Sequence, residues 1–481
     1  MLIINDLVVA FETESGELAA IKDVSLSLKS GETLALVGES GCGKTVLCKS
    51  ILKTLCEKGN IRKGKILLDG KDLVPLSEKE MVAYRGREVS MVFQDPMTSL
   101  DPTMSVGDQI AEVIQMSKPR DTARQQAIEL MRLVEIDQPE IRYDQMPHQF
   151  SGGMRQRIAI AIALAGDPKL LLADEPTTAL DQQTQIQILS LLKKIDISII
   201  FVTHDLSLVE DIADCVAIMK GGKIVEMGKV NEIFQKPQHS YTKKLLSYLD
   251  YGKGRGHNHK SGTGDKTEPL VEIINVSKYF KLGRNKINKA LDNFNMTICK
   301  GEIVGLVGPS GCGKSTLARC IMGMHSLTSG EIVFHQFGEQ KCNKKNWKQM
   351  IFQDSASAFN PRMTIGEIIA EPLKIAGKKR GNLRDKVIDL MKQVELDPEI
   401  IDRYPYEVSG GQRQRAAIAR AISVDPEFIV ADEPVSSLDI STQAQIIHLF
   451  RKLQEERNLT ILLISHDLPM INHVSDRIIA I

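Results

Sequence analysis

Residues 38–45 read GESGCGKT, and residues 308–315 read GPSGCGKS, 270 positions later. A short apolar run precedes each segment, at Thr33–Val37 and Ile303–Val307, and a helical pattern follows it. This order predicts a strand, a loop and a helix, in which small residues let backbone N–H groups surround nucleotide phosphates. One match alone could be a chance glycine turn. Two matches in equivalent settings predict two phosphate-binding loops.

Each loop carries a predicted set of contacts to the phosphates and to a magnesium ion. Lys44 and Lys314 would reach the β- and γ-phosphates. Thr45 and Ser315 would offer a hydroxyl to Mg²⁺. The other predicted phosphate contacts are Gly38, Ser40, Gly41, Gly43, Gly308, Ser310, Gly311 and Gly313.

Further short motifs recur in the same order after each loop. They are FQD at 93–95 and 352–354, SGG at 151–153 and 409–411, DEP at 174–176 and 432–434, and HD at 204–205 and 466–467. Ordered recurrence of this kind predicts two homologous domains, at residues 1–251 and 269–481. Residues 252–268 are rich in glycine, lysine and polar residues without apolar periodicity, which predicts a flexible linker.

Acidic residues follow a second apolar run in each half, at 170–173 and 428–431. A carboxylate at the C-terminal end of a buried parallel strand is suited to hold Mg²⁺. Asp174 and Asp432 are therefore the predicted metal ligands. The adjacent residues that would polarise the attacking water are Glu175 and Glu433.

A histidine follows another apolar strand pattern in each half, at His204 and His466. In most proteins a histidine at such a place is a packing or capping residue. Its recurrence after each glutamate favours a contact to the γ-phosphate and a part in catalysis.

Composition limits the classes of protein to which the chain can belong. A length of 481 residues exceeds one ordinary hydrophobic core, so several domains are expected. Lys and Arg number 61 and balance 61 Asp and Glu, which gives no electrostatic case for nucleic acid. The longest apolar stretches are shorter than the roughly 18 residues of a membrane span, and the eight cysteines lack metal-ligand spacing. These features predict a cytosolic protein with reduced thiols.

Residues 150–157, FSGGMRQR, and 408–415, VSGGQRQR, carry a family resemblance. They resemble the LSGGQ signature of the nucleotide-binding subunits of ATP-binding cassette (ABC) transporters, and the resemblance covers nearly the whole chain outside the linker. A serine hydroxyl and glycine N–H groups at a helix N-terminus form a second anion cradle. The resemblance implies an α/β fold with two P-loop ABC nucleotide-binding domains. Each would have a RecA-like core, an antiparallel β-subdomain and an α-helical subdomain.

The resemblance also implies two ATP molecules with Mg²⁺, held in a head-to-tail pair of cassettes. One site would join Lys44 to the signature at Ser409, and the other would join Lys314 to Ser151. Pairing within one chain and pairing between two chains both stay open. Met154 stands where the family has Gln, and we interpret it as tolerated because Ser and Gly supply the phosphate contacts. The signature contacts carried over are Ser151, Gly152, Gly153, Ser409, Gly410, Gly411 and Gln412.

Other family positions match by motif. Gln94 and Gln353 match the Q-loop glutamine, which would act in catalysis and bind the metal ion. Asp181 and Asp439 match the D-loop. The residues that match the adenine-stacking aromatic are Phe11 and Phe280. Either aromatic could equally be a core residue beside the first strand of its domain.

Finer features resemble the importer branch for oligopeptides, dipeptides and nickel. They are FQDPMTSLDP at 93–102, NPRMTIGE at 360–367 and QHSYT at 238–242. This branch implies a motor ATPase that two integral-membrane permease subunits contact through residues 97–150 and 355–408. It also implies an extracytoplasmic substrate-binding protein, a peripheral location at the cytoplasmic face of the cell membrane, and no direct binding of nucleic acid.

Two departures and one alternative accompany the importer interpretation. The cysteine-containing tail of some such subunits is absent after the first cassette, and the second cassette stops at Ile481, which predicts a truncated C-terminal lobe. The alternative function is a soluble tandem ABC ATPase that acts on ribosomes or DNA. Peptide, nickel and metal-chelator cargo all stay open, because the specificity of an importer lies in its other subunits.

Overall fold

The computed structural model of the chain describes two compact units. The described residues are 1–13, 16–94, 99–116, 119–177, 180, 182–253, 268–281, 287–309, 311–335, 346–353, 358–377, 383–435, 438–465 and 468–481. The first unit is Met1–Leu249 and the second is Asp250–Ile481. Residue 251, the predicted end of the first domain, lies inside a helix that spans Ser240–Lys253.

The strands of the first unit form two sheets. They are β1 (Leu2–Thr13), β2 (Gly16–Leu28), β3 (Thr33–Val37), β4 (Gly59–Leu68), β5 (Lys71–Asp72), β6 (Val89–Val92), β7 (Leu170–Asp174), β8 (Ser198–Thr203), β9 (Cys215–Lys220) and β10 (Lys223–Lys229). An antiparallel sheet has the order β2-β1-β4-β5, and a larger sheet has the order β10-β9-β3-β8-β7-β6. In the larger sheet β6, β7, β8, β3 and β9 run parallel, and β10 pairs antiparallel with β9.

The helices of the first unit include a helical segment inserted between β6 and β7. They are α1 (Lys44–Ile51), α2 (Glu78–Met81), α3 (Val106–Gln115), α4 (Arg120–Leu133), α5 (Pro139–Arg142), α6 (Gly152–Leu164), α7 (Gln182–Lys194), α8 (Val209–Ile212), α9 (Val230–Gln235) and α10 (Ser240–Lys253). The inserted segment comprises α3 to α6. Helix α3 begins where the Ser105 side chain accepts the N–H of Asp108, a standard N-terminal cap.

Strand β7 shows how the core of the first unit is divided. All five of its residues are buried, as expected for a parallel strand that is covered on both faces. Leu171 and Ala173 pack with the helices, whereas Leu170 and Leu172 pack with the antiparallel sheet. The strand therefore ends, at Asp174, between two packed layers.

The second unit repeats this arrangement. Its strands are β11 (Pro269–Lys281), β12 (Ile287–Cys299), β13 (Ile303–Val307), β14 (Ser329–Phe334), β15 (Lys348–Ile351), β16 (Phe428–Asp432), β17 (Thr460–Ile464) and β18 (Arg477–Ala480). Its helices are α11 (Lys314–Ile321), α12 (Ile365–Ile375), α13 (Leu383–Gln393), α14 (Gly410–Ile422), α15 (Ile440–Arg457) and α16 (Leu468–Val474). An antiparallel sheet has the order β12-β11-β14, and a parallel sheet has the order β15-β16-β17-β13-β18.

The predicted fold class is confirmed in both units. Each has a parallel core sheet, an antiparallel sheet on one face of it and a helical segment on the other. The strand that leads into each phosphate loop, β3 or β13, lies inside its parallel sheet. Within the described part of the chain, every helix is too short or too polar to cross a membrane.

Candidate functional site

The backbone of the first loop requires glycine at three positions. Gly41 and Gly43 have φ angles of +78° and +107°, which residues with a side chain rarely adopt. A Cβ at Gly38 would lie 2.2 Å from the carbonyl oxygen of Met219. Gly43 caps the N-terminus of α1, so the positive end of the helix dipole faces the loop. Ser40 is exposed in the same loop.

The second loop has the same backbone. Gly311 and Gly313 have φ angles of +81° and +109°. A Cβ at Gly308 would lie 2.6 Å from the carbonyl oxygen of Ile481. Ser310 lies outside the described residues. The described glycines of both loops have the backbone conformation and close packing that suit an anion cradle of N–H groups.

The loop lysines are buried and fold back onto their own loops. Lys44 Nζ donates to the carbonyl oxygens of Gly38 at 2.6 Å and Glu39 at 3.0 Å. Lys314 Nζ donates to those of Gly308 at 2.7 Å and Pro309 at 2.9 Å. Each loop therefore holds an ammonium group at its centre, where a phosphate would find it already oriented.

A hydroxyl and a carboxylate meet beside each loop. Thr45 Oγ1 donates to Asp174 Oδ1 at 3.2 Å, and Ser315 Oγ donates to Asp432 Oδ1 at 3.1 Å. Burial raises the pKa of both aspartates, and the hydrogen bonds from the hydroxyls only partly oppose it. Such enclosed carboxylate and hydroxyl oxygens fit Mg²⁺, which prefers hard oxygen ligands.

The glutamate that follows each aspartate is bonded to the predicted Q-loop glutamine. Gln94 Nε2 donates to Glu175 Oε2 at 2.9 Å, and Gln353 Nε2 donates to Glu433 Oε2 at 2.7 Å. The two glutamates have φ angles of +47° and +45°. A positive φ at a residue with a long side chain is strained. The chain therefore holds both carboxylates in an unusual backbone conformation.

His204 completes this cluster in the first unit. Its Nδ1 lies 3.3 Å from Glu175 Oε2. Burial lowers the pKa of His204, but the hydrogen bond and charge of Glu175, with the charge of Asp205, outweigh burial and raise the pKa above its ordinary value. The corresponding His466 lies outside the described residues.

The signature serines cap the helices that follow them. Ser151 accepts the N–H of Met154 at 3.4 Å at the start of α6, and Ser409 accepts the N–H of Gln412 at 3.3 Å at the start of α14. In the second unit Gln412 Oε1 also accepts the N–H of Ser409 at 2.9 Å, which closes a reciprocal capping box. Methionine at position 154 has no side-chain oxygen for this bond.

The signature glycines differ in the space around them. A Cβ at Gly153 would lie 2.4 Å from Thr184 Cγ2, and one at Gly411 would lie 2.5 Å from Thr442 Cγ2. Each signature therefore packs closely on the helix that follows the glutamate, α7 or α15. The preceding glycines, with no neighbour closer than 3.2 Å to an added Cβ, are Gly152 and Gly410.

The structure describes three of the four predicted D-loop and aromatic positions. Asp439 accepts the N–H of Thr442 at 3.0 Å and caps α15, whereas Asp181 lies outside the described residues. Phe11 is half-buried and its ring would lie 2.6 Å from a Cβ at Gly59. Phe280 packs edge-on against His325 with ring centroids 5.6 Å apart. Phe11 therefore packs within its own antiparallel sheet, whereas Phe280 packs on a residue that precedes β14.

Sequence analysis did not identify a pair of arginines on the signature helices. Arg157 is buried on α6 and donates to Val134 O at 3.0 Å and to Gln187 Oε1 at 2.8 Å. Arg415 on α14 repeats these bonds to Val394 O at 2.7 Å and Gln445 Oε1 at 3.0 Å. Each arginine ties the signature helix to the helix that follows the glutamate. Its recurrence in SGGxxQR was the available signal.

Comparison with known proteins places this site in a family. The family model described as ABC transporter matches the chain twice, at residues 21–178 and 291–436. Each match spans a phosphate loop, a Q-loop, a signature and an Asp-Glu pair. The chain belongs to the ABC transporter family. As an ABC protein it is an ATPase, and its cofactors are ATP and Mg²⁺.

Relatives of this ABC protein are similar over nearly its whole length. The peptidoglycan transport ATP-binding protein YejF of Agrobacterium fabrum is 42% identical over 501 residues, covering 100% of this chain and 90% of the relative. The glutathione import ATP-binding protein GsiA of Salmonella typhimurium is 39% identical over 524 residues, covering 99% of this chain and 84% of the relative. Both relatives align with the two cassettes in one chain.

A solved structure shares the fold of this ABC protein at lower identity. The archaeal ribosome recycling factor aABCE1, in complex with ribosomal stalk protein aP1, has a TM-score of 0.66 and 20% identity. The match covers 99% of this chain and 87% of that one. At this identity the likeness shows the fold alone.

Proposed function

We propose that this chain is the ATP-hydrolysing motor subunit of an ABC importer for small solutes that contain a peptide. The observation that carries the proposal is its full-length similarity to ATP-binding proteins named for peptidoglycan transport and glutathione import. Both names denote solutes that include a peptide. A nickel cargo, also typical of the importer branch, is not among these names.

We assign hydrolysis in each unit to the glutamate after the metal-binding aspartate. Glu175 and Glu433 each accept a hydrogen bond from a glutamine amide, a neutral donor that favours the ionised carboxylate. An ionised carboxylate can accept the proton of an attacking water. Bound Mg²⁺ would neutralise charge on the phosphate oxygens. His204, whose Nδ1 lies 3.3 Å from Glu175 Oε2, would contact the γ-phosphate.

The nucleotide itself would be held by the loops and the signatures. The ammonium groups of Lys44 and Lys314 are enclosed by loop carbonyl oxygens and would exchange one of these acceptors for phosphate oxygens. As predicted from the resemblance, Ser409 would complete the site of Lys44, and Ser151 would complete the site of Lys314. We retain this pairing as part of the proposal.

A cavity of about 260 Å³ in the second unit supports docking of a membrane permease there. It is lined by apolar residues that include Met350 and Phe359, and by Glu371 and Arg420, which form an ion pair of 2.6 Å. Ile375 on its rim is 78% exposed. An apolar groove with a charged margin fits a short amphipathic segment of a partner protein.

The cavity also adjoins the site of hydrolysis. Phe352 lines it, and the next residue, Gln353, donates to Glu433 at 2.7 Å. A permease segment in the cavity would therefore act on the hydrolytic carboxylate through one glutamine. We propose that a second permease docks on residues 97–150 of the first unit and that an extracytoplasmic binding protein delivers the solute. The chain would then act at the cytoplasmic face of the membrane.

The test is reconstitution of the chain with its candidate permeases and binding protein in lipid vesicles. We expect ATP-dependent uptake of glutathione or of a peptidoglycan fragment, without competition from Ni²⁺. Ile375→Glu should prevent co-purification with the permease. Its matched control is Ile287→Glu, on β12 of the same unit, where the isoleucine is 63% exposed. The control should leave co-purification intact.

The alternative function predicts the opposite behaviour. A tandem ATPase that acts on ribosomes or DNA would co-sediment with ribosomes or bind DNA, and would not co-purify with a permease. The fold shared with aABCE1 at 20% identity does not favour this alternative. Ribosome co-sedimentation together with failure to bind the permeases would overturn the importer proposal.

A further inference from the structure

A buried arginine joins three helices in the first unit. Arg157 on α6 is 8% exposed. Its Nη1 donates to Val134 O at 3.0 Å and to Glu135 Oε2 at 3.0 Å, and its Nη2 donates to Gln187 Oε1 at 2.8 Å. Val134 caps the C-terminus of α4, and Gln187 lies on α7. Because the guanidinium group is planar and rigid, it holds the end of α4, the signature helix α6 and α7 in one arrangement.

The second unit repeats these bonds. Arg415 on α14 is 7% exposed. It donates to Val394 O at 2.7 Å, to Glu395 Oε2 at 3.3 Å and to Gln445 Oε1 at 3.0 Å. Val394 directly follows α13, and Gln445 lies on α15. We call the arginine of each unit, with its bonded glutamate and glutamine, the arginine joint.

The glutamate of each joint has an unfavourable backbone conformation. Glu135 and Glu395 have φ angles of +59° and +55°, a region in which glycine is the usual residue after the end of a helix. Each carboxylate also binds a lysine: Glu135 Oε1 lies 3.2 Å from Lys194 Nζ on α7, and Glu395 Oε1 lies 3.5 Å from Lys452 Nζ on α15. The helix end alone would favour glycine, so these carboxylates indicate a role in placing one helix against another.

The helix that each joint binds also holds the segment after the hydrolytic glutamate. Gln185 Nε2 on α7 donates at 3.2 Å to the carbonyl oxygen of Thr177, two residues after Glu175. In the second unit Gln443 Nε2 on α15 donates to Val435 O at 3.1 Å. In both units this glutamine lies two positions before the glutamine of the joint. A shift of α7 or α15 would therefore move the peptide bonds next to the hydrolytic carboxylate.

We propose that the arginine joint positions the hydrolytic glutamate from the helical segment. It keeps α7 and α15 in the place that orients Glu175 and Glu433 toward the attacking water. A permease docked on the helical segment acts on hydrolysis through the joint, in addition to the Q-loop glutamine. Arg157 and Arg415 are positioning residues, because they act through these helices. The proposal rests on the assignment of hydrolysis to the two glutamates and, for the permease, on the importer function.

The test uses the exposed glutamines of the joints in the full-length chain, because loss of a buried arginine would destabilise the fold. Gln187 and Gln445 are both exposed. Gln187→Ala with Gln445→Ala removes one acceptor from each guanidinium group. We expect kcat for ATP to fall by roughly tenfold with KM unchanged, because a general base held out of place loses much of its effect.

Two further pairs of substitutions serve as rescue and control. Gln187→Glu with Gln445→Glu keeps an acceptor for each arginine and should restore kcat. Ser190→Ala with His448→Ala, three positions further along the same helices and also exposed, should leave kcat and KM at the native values.

Three results would overturn the role of the joint. They are a native kcat in the alanine variant, a KM for ATP that rises as kcat falls, and a kcat in the glutamate variant as low as in the alanine variant. A purely structural role would lower the Tm and leave the kcat of the folded protein unchanged, which is the first of these results.

A second measurement tests the signal from the permease. In lipid vesicles, permeases should raise the ATP turnover of the native chain more than that of the alanine variant, while both chains co-purify with the permeases. Equal stimulation would overturn transmission through the joint. If the native chain neither co-purified nor responded, the importer function would fail, and the kcat without permease would still decide whether the joint positions the glutamates.

Discussion

The two units agree in the bonds of their loop lysines and Q-loop glutamines and differ on the surfaces of their helical segments. The loop lysines donate to the first loop carbonyl at 2.6 and 2.7 Å, and the Q-loop bonds are 2.9 and 2.7 Å long. On the signature helices, Arg420 pairs with Glu371, whereas Ile162 occupies the corresponding position of α6. These bonds repeat in both units, while the signature helices carry different surface residues that would suit different partners.

The position seven residues before each Q-loop glutamine shows a similar divergence. In the first unit Arg87 donates to Met116 O at 2.7 Å, directly after the end of α3. In the second unit Asn346 stands at the corresponding position and lines the open cavity. An arginine bonded to the end of α3 and an asparagine that lines a cavity would present different surfaces to a partner segment. The fused chain thus supports our proposal of two docking surfaces with different specificities.

The largest expected effect tests whether the two hydrolytic sites are equal. Glu175→Gln and Glu433→Gln should each cut ATP turnover heavily, and the double variant should lose roughly 10²–10⁴-fold, the range for loss of a general base. Steady-state phosphate release measures this. Glu129→Gln and Glu456→Gln, on exposed helix faces, are the controls. Near-normal ATP turnover in the double variant would refute the assignment of the two glutamates as general bases. If only one of the single variants lost turnover, the two sites would not contribute equally to hydrolysis.

The next effect concerns the close contact of each signature with the following helix. Gly153→Ala and Gly411→Ala should each lower the free energy of unfolding by about 1–3 kcal/mol, because the added methyl overlaps a threonine. The one tryptophan, Trp347, stacks on Phe428 and reports unfolding of the second unit by fluorescence. Amide hydrogen exchange reports the first unit.

Gly152→Ala serves as the control for the first unit, since an added Cβ there has its nearest neighbour at 3.9 Å. It should leave stability nearly unchanged. If Gly153→Ala were as stable as this control, the close contact with Thr184 would not exist in solution. If only Gly153→Ala or only Gly411→Ala were destabilised, the two signatures would not pack equally closely on the helix that follows the glutamate.

A smaller effect tests the one capping difference between the signatures. Met154→Gln should complete the capping box of α6 and stabilise the first unit by about 0.5–1 kcal/mol, and Gln412→Met should destabilise the second unit by a similar amount. Denaturant unfolding measures both. Equal stability in all four combinations would show that the Gln412 bond to Ser409 contributes nothing.

The smallest effect is a pH dependence in the first unit. The pKa of His204 is raised in the folded state, so the folded protein binds more protons than the unfolded one. The stabilisation is complete below the unfolded pKa, near 6.5, and is lost as pH rises through the folded pKa. Hydrogen exchange of β7 and β8 should accelerate more steeply over this range in the native chain than in His204→Gln. Parallel pH profiles would contradict this.

The two strand–loop–helix segments were predictable because each is a contiguous segment with its own apolar and glycine pattern. Gln94 and Glu175 are 81 positions apart, yet both were predicted as catalytic residues. Their hydrogen bond was not predicted, because it depends on β6 and β7 being neighbours in the parallel sheet. Sequence patterns predicted where the strands lie along the chain, but not which strands are neighbours in the sheet.

Other features depended on packing that no local pattern records. The partners of Arg157 are Val134, directly after the end of α4, and Gln187 on α7, 23 and 30 positions away. The interpretation of Met154 considered only phosphate contacts, which stay a prediction. The structure adds that this position governs a capping bond of the signature helix. A side chain's role at a helix end is clear only when its reciprocal partner is known.

The positive φ angles of Glu175 and Glu433 bear on how such chains evolve. Glycine would adopt this backbone conformation without strain, and would raise the free energy of unfolding by roughly 1 kcal/mol for each position. Selection for stability alone would thus favour loss of both carboxylates, and selection for turnover must act continuously against it. A descendant released from hydrolysis should drift to glycine or asparagine here first. In sequenced genomes, glycine or asparagine at this position would mark cassettes that no longer hydrolyse ATP but still fold stably.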